Sequence, residues 1–242
     1  MPGLHPWWPG SFPVHPHLLF EIVAYAVAWR LFVRDRARQD PVGDAMTRAV
    51  LLTVVIVGGV VGAKLSFLLE DPAATLAHLT DPVWLFQGRS IIGALLGGLL
   101  SVELAKPLLG VTVATGDVYV RPLVVGLAVG RVGCFLAGVS DGTHGVPVAW
   151  GMDLGDGVPR HPTALYEIVF LAVLGVGLAR WRPARDGDRF KAFMVAYLGW
   201  RLVIEAWKTQ PFPWLGLSGI QLLCVLGLLW YAGVAVRRWR AA

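Results

Sequence analysis

DVYVRPLVVGLAVGRVGCFLAG, residues 117–138, is apolar over most of its length, is broken by glycines and carries Arg131 near its far end. About 20 mainly apolar residues are what an α-helix needs to cross the hydrocarbon core of a bilayer. The stretch reads as a spanning helix, and the guanidinium inside it then requires a reason. Composition agrees with a membrane setting. The chain has 242 residues, 56% hydrophobic and 15% charged, with a mean hydropathy of +0.62. Soluble domains carry about a quarter charged residues, so an ordinary water-soluble class is excluded. Eleven tryptophans fit a chain that meets the water–lipid boundary repeatedly.

Six further runs of this kind lie on either side, giving seven candidate spans at 18–34, 48–69, 89–109, 117–138, 163–181, 189–207 and 216–236. The N-terminal MPGLHPWWPGSFPVHPH lacks the basic start and small-residue cleavage site of a signal peptide, so the first run is expected to stay as a membrane helix. Arginines set the direction. Arg34, Arg36, Arg38 and Arg48 follow span one; Arg180, Arg182, Arg185, Arg189 and Lys191 follow span five; Arg237, Arg238 and Arg240 follow span seven. Alternating spans put all three groups on one side, which the positive-inside rule makes cytoplasmic. The same anchors account for the net charge of +5 without any nucleic acid. Cys134 and Cys224 stand in apolar runs with no paired or CxxC spacing, which supports neither a disulfide framework nor a zinc site. The expected fold is an all-α integral membrane protein of seven transmembrane helices, N-terminus outside and C-terminus cytoplasmic. It forms a single polytopic domain over 1–242, and the glycine-rich outer loop 139–162 is long enough to fold over an outer opening.

Seven ionisable residues fall inside these spans: Glu21, Lys64, Glu103, Arg131, Glu167, Arg201 and Glu205. Each costs several kcal/mol in hydrocarbon unless it faces a partner or a wet cavity. Arg131 lies near the outer end of span four, Glu167 near the outer start of span five, and Arg201 and Glu205 near the outer end of span six. Acidic and basic groups therefore gather at one outer level. Arg201 and Glu205, four apart, share a helix face, with Tyr197 and Lys208 near the same stripe, and Arg131, Cys134 and Phe135 share another. PRHPTALYE, residues 159–167, adds Arg160, His161, Thr163, Tyr166 and Glu167, with Pro162 placed to start span five. Guanidinium groups clamp phosphate through paired N–H donors, so two or three of them at the outer leaflet point to a phospholipid head group. Taken singly, each residue also has a structural reading. Arg201 and Glu205 can be a neutralised helix staple, Arg131 can reach outward to the surface, Cys134 can be a packed small hydrophobe, and Gly130, Gly133 and Gly138 can serve close helix approach. Lys64, Glu21 and Glu103 are left as a separate structural pairing.

GRVGCFLAG, PRHPTALYE and WRLVIEAWK occur in this order on spans four to six. Together they resemble the prolipoprotein diacylglyceryl transferase family, whose specific motifs here fall within residues 88–208. The resemblance implies transfer of diacylglycerol from phosphatidylglycerol to the thiol of a lipobox cysteine, on the outer face of the bacterial inner membrane, with phosphoglycerol leaving. It implies that Arg131, between Gly130 and Gly133, grips the phosphate, that Arg201 stabilises charge on the leaving group, and that Glu205 orients Arg201. His161, Tyr166 and Glu167 match the family's RHPxxLYE segment, and Arg160 and His144 join the substrate-binding set. The partners implied are phosphatidylglycerol, the prolipoprotein signal peptide and membrane lipid, with no nucleic acid, no cofactor and no metal.

This chain departs from the family pattern in two places. Cys134 and Ala137 stand where the family signature carries asparagines, and Val139 where it carries a glutamate. The third span reads GRSIIGALLGG, with Ile92 near the place of the family's proposed catalytic histidine. A base is then expected from the loop, at His161, His144 or Asp141. The competing readings are a non-catalytic phospholipid-binding protein that keeps the clamp, a related lipid transferase with another acceptor, and, more distantly, a small-solute transporter.

Overall fold

The computed structural model describes residues 4–9, 13–86, 88, 90–209, 211 and 213–240. Nine α-helices are seen among them: α1 Pro16–Arg38, α2 Ala45–Glu70, α3 Pro72–Ala77, α4 Pro82–Phe86, α5 Ile91–Leu108, α6 Asp117–Ala137, α7 Thr163–Arg180, α8 Asp188–Ile204 and α9 Gly219–Arg240. Six of them are long and apolar enough to cross a membrane. The chain is thus a mostly helical membrane protein. α8, at 17 residues, sits where the sixth span is predicted. Its first turn carries Asp188, Arg189 and Lys191, which shortens its apolar stretch.

Local chemistry starts these helices where hydropathy places them. Asp44 accepts the Thr47 N–H at 2.7 Å, and Ser90 accepts the Gly93 N–H at 3.4 Å, each satisfying a donor that the first helical turn leaves open. Pro16 and Pro72 open α1 and α3, where a missing N–H costs nothing. The spanning helices turn apolar side chains outward: Val60, Leu104 and Val173 are each more than 60% exposed. In water such faces would have to be covered, whereas against lipid chains they need no cover.

Two compact units are formed. One comprises residues 1–40, 115–193 and 206–209; the other comprises 41–114, 194–205 and 210–242. In the first, α1 runs antiparallel to α6. Phe32 stacks on Tyr119 at 5.0 Å and Asp35 pairs with Arg121 at 3.0 Å at one end, while Gly133 meets Phe20 at the other. A Cβ at Gly133 would lie 2.6 Å from the Phe20 Cβ, so this crossing depends on glycine. α7 packs on the opposite side of α6, and Asp117, at the start of α6, accepts the backbone N–H groups of Gly187 and Phe190, both at 2.8 Å, fixing the entry into α8. In the second unit α2 and α5 lie antiparallel at backbone contact. A Cβ on Gly62 would come within 2.2 Å of the Gly93 carbonyl oxygen, the small-residue packing that stands in for a hydrophobic driving force between helices in lipid.

The three ionisable residues left aside in the sequence each have contacts nearby. Glu21 accepts the Tyr25 hydroxyl at 3.2 Å, Glu103 pairs with Lys106 at 3.2 Å, and Lys64 reaches the Gly88 carbonyl at 3.5 Å and stands 4.9 Å from the centre of the Phe67 ring.

The segment 139–162 holds what a helix-only reading omits. A 3₁₀ turn, Gly138–Asp141, leads into a two-stranded antiparallel ribbon, β1 Pro147–Asp153 and β2 Pro159–Arg160. Asp153 turns the ribbon by accepting the N–H groups of Gly155, Asp156 and Gly157 at 2.8, 3.2 and 2.9 Å. These bonds, that of Gly155 foremost, hold its carboxyl below the usual carboxylate range.

Candidate functional site

Arg131 sits a turn and a half before the end of α6, 6% exposed. Its Nε lies 3.0 Å from Oε2 of Glu167, which α7 presents in its second turn and which is 1% exposed. Two ionised groups out of water each carry a desolvation cost that only a close partner offsets, and this pair meets that condition. On its other side Arg131 donates from Nη1 to the Cys134 sulfur at 3.5 Å. Cys134, three residues on and on the same helix face, lies 3.8 Å from Nδ1 of His17. The same Nδ1 lies 2.5 Å from Oδ1 of Asp141, whose other oxygen accepts the Thr143 hydroxyl. A polar chain thus runs Glu167–Arg131–Cys134–His17–Asp141–Thr143 through α7, α6, α1 and the loop of the first unit. His15, capping α1, adds a second stitch through Nε2 to the Ser140 hydroxyl at 3.3 Å. Cys134 also lines a small recess with Gly138, Thr143, His144, Pro162 and Thr163.

The donor atoms of His17, Cys134 and Asp141 lie within 4.8 Å of one another, a donor set chemically suited to zinc. Two features work against a dication there. The guanidinium of Arg131 already faces the sulfur, and the His17 and Asp141 donor atoms engage each other directly. The cluster is a hydrogen-bonded one.

The remaining loop residues of the motif build a wall. His161 is buried, stacked on Trp207 at 5.3 Å between ring centres, with Nδ1 3.3 Å from the Tyr166 hydroxyl. Its N–H and carbonyl are bonded to Val146 and Gly145 at 3.1 Å each. Arg160 makes a two-nitrogen contact with Oδ2 of Asp156 at 2.9 and 2.7 Å, which keeps the Asp156 carboxyl below its usual range. His144 faces the Gly145 carbonyl through Nδ1 at 3.3 Å. Thr163 ties this wall to α7 by donating its hydroxyl to the Thr143 carbonyl at 2.7 Å. Gly130 and Gly133 face α1, with Ala24 and Phe20 as their nearest neighbours.

In the second unit Arg201 donates from Nη2 to Oε2 of Glu205 at 2.8 Å, with the side chains 4% and 0% exposed. Tyr197, one turn back, is fully buried. α8 ends at Ile204 and a 3₁₀ turn Glu205–Trp207 follows. In the first unit the backbone of Lys208 bridges to Gly145.

Sequence reasoning missed His17. It stands one residue outside the first apolar run, in HPHLLFE, and its partner Asp141 is 124 positions away. The readable signal is a histidine at the lip of a spanning helix whose neighbours, His15 and Pro16, cap that helix.

A family model for prolipoprotein diacylglyceryl transferase matches residues 7–237. A phosphatidylglycerol–prolipoprotein diacylglyceryl transferase of Chromohalobacter salexigens is 31% identical, over 95% of this chain and 89% of its own length. Proteins of the same name are 30% identical in Coxiella burnetii, over 86% of this chain and 82% of theirs, and 31% identical in Azoarcus sp., over 83% of each. With a match that runs over nearly its whole length, and with the buried Arg131–Glu167 pair in the segments that carry the family motifs, the chain belongs to the prolipoprotein diacylglyceryl transferase family.

Proposed function

We propose that the protein moves the diacylglyceryl group of phosphatidylglycerol onto the cysteine thiol of a prolipoprotein lipobox, releasing phosphoglycerol. In this reading it is a bacterial cytoplasmic-membrane protein of seven spans, α8 being the short one. Its N-terminus and the 139–162 loop face outward and its arginine-rich turns face the cytoplasm. The observation that carries the reading is Arg131, a guanidinium held by Glu167 at the end of an apolar helix, in a chain of this family.

The chemistry asks little of the enzyme. The nucleophile arrives on the substrate, so the protein supplies charge where the phosphate and the leaving oxygen sit, and a group to accept one proton. Arg131 holds the phosphate. Arg201, kept in plane by Glu205, stabilises the charge that develops on the leaving phosphoglycerol. Tyr166 and His161 form the wall beside the head group. The reading requires no cofactor and no metal.

The test is the protein in phosphatidylglycerol liposomes with a lipobox peptide carrying a free cysteine, followed by mass spectrometry. A thiol-linked diacylglyceryl adduct with released phosphoglycerol, lost in Arg131→Ala while folded protein remains, is the expected result. A specific observation favours a second reading, a lipid-binding protein without turnover: Ile92, near the place of the family's proposed catalytic histidine, is fully buried. Lipid binding that depends on Arg131, with no product, would establish that reading instead. Phosphoglycerol release without adduct would mean another acceptor.

A further inference from the structure

We infer that His17, held by Asp141, is the base that takes the proton from the incoming thiol; the inference rests on the transferase reading above. Asp141 Oδ1 lies 2.5 Å from His17 Nδ1. A carboxylate only accepts, so Nδ1 carries the hydrogen, and in the neutral ring Nε2 is the nitrogen that can take a proton. Asp141 cannot easily turn away, because its second oxygen holds the Thr143 hydroxyl and its side chain is 5% exposed. The imidazole itself is 43% exposed, which a base for an external substrate must be. An inner carboxylate fixing the tautomer of an outer imidazole is the arrangement that makes histidine an effective proton acceptor.

The surroundings point the same way. His17 is in the first turn of α1, which the Gly133 crossing presses against the last turns of α6. The charged and titratable groups facing it are Asp141 and Cys134, with Arg131 one sulfur beyond, 3.5 Å from Cys134. The proton acceptor and the cation proposed to hold the phosphate are therefore built into one cluster. The loop histidines are spoken for: His161 is buried in a stack with Trp207, and His144 turns Nδ1 to a backbone carbonyl.

In the step, His17 Nε2 takes the S–H proton and the thiolate sulfur attacks the glyceryl carbon that bears the phosphate ester. The C–S bond forms as that C–O bond breaks, and the electron pair leaves on the phosphate oxygen of phosphoglycerol. The imidazolium then gives its proton to the phosphoglycerol or to water, restoring the base.

The experiment compares cysteine and selenocysteine lipobox peptides on wild type, His17→Gln and Asp141→Asn in phosphatidylglycerol liposomes. A selenol is already ionised at neutral pH and needs no base. The expected result is that His17→Gln loses about 10²–10⁴-fold in rate with the cysteine peptide but transfers to the selenocysteine peptide near the wild-type rate. Asp141→Asn should lose on the order of 10²-fold or more with cysteine, through the unfixed tautomer, and be rescued the same way. Unchanged cysteine transfer in His17→Gln would overturn the inference. Equal loss with both peptides would also overturn it, by making His17 structural. A wild type that modifies neither peptide would instead bring down the transferase reading, and this inference with it.

Discussion

Replacing Glu167 by alanine tests whether the charge at Arg131 is held by a partner or merely sits near one. The two groups are 3.0 Å apart with side chains 7% and 2% exposed, so water screens them little. At an effective dielectric of 20 the attraction is about 5 kcal/mol, of which desolvation of the two ions cancels a large part. Removing one partner is worse than removing both, because it strands the other charge, and such losses run to about 3–5 kcal/mol. For a chain of this length each kcal/mol moves the melting temperature by about 2–4 °C. Glu167→Ala should therefore melt roughly 6–20 °C below wild type in detergent micelles. The double variant Arg131→Met with Glu167→Leu fills the same space without charge and should recover most of that loss, yet transfer no lipid. A single variant that melts within about 2 °C of wild type would refute the reasoning. A double variant with normal turnover would refute the phosphate role of Arg131.

Arg201→Lys should cut turnover by about tenfold or more while leaving the melting temperature nearly unchanged. An ammonium can still pair with Glu205 but cannot present a planar fork to phosphate; a normal rate would mean that Arg201 only staples its helix. Gly133→Val should destabilise by about 1–3 kcal/mol, read as a thermal shift, because the new Cβ meets the Phe20 Cβ at 2.6 Å; an unchanged melt would mean that α1 does not seat there. The Asp153 turn should be acid-sensitive. Its folded carboxyl titrates below the unfolded value of about 3.9, so its contribution is present above that pH and is lost as pH falls through the folded value. Exchange protection at the Gly155 and Gly157 amides, corrected for intrinsic rate, should hold above about pH 4 and drop below it; protection that rises on acidification would contradict the assignment.

Hydropathy placed the long helices within a few residues of where they form, because in lipid a helix has no competitor: every backbone donor must be satisfied within the segment. What it could not show is governed by single residues. α8 stops at Ile204 rather than continuing to Trp207, and a 3₁₀ turn takes its place. The β1–β2 ribbon was hidden for a similar reason. Its strands are short, one of only two residues, and are held by the Asp153 turn rather than by an alternating apolar pattern.

The site divides along the same line between local and distant information. Arg131 with Cys134, and Arg201 with Glu205, are spaced at one helical turn, so a periodic reading finds both pairs. Glu167 is found as well, because a carboxylate inside an apolar span demands a cation. His17 carries no such mark. A histidine just outside the hydrocarbon violates no rule, and hydropathy starts the first span one residue after it. Its meaning arises only when α1 is laid against α6, which brings it to Cys134 and Asp141. Cys134 stands where the resemblance puts an asparagine, and its sulfur lies between the guanidinium and the imidazole; Ile92 lies near the place of the family's proposed histidine, and an imidazole with a carboxylate behind it stands at the mouth of the first helix. On the inference drawn above, the proton acceptor has moved from the third span to the first.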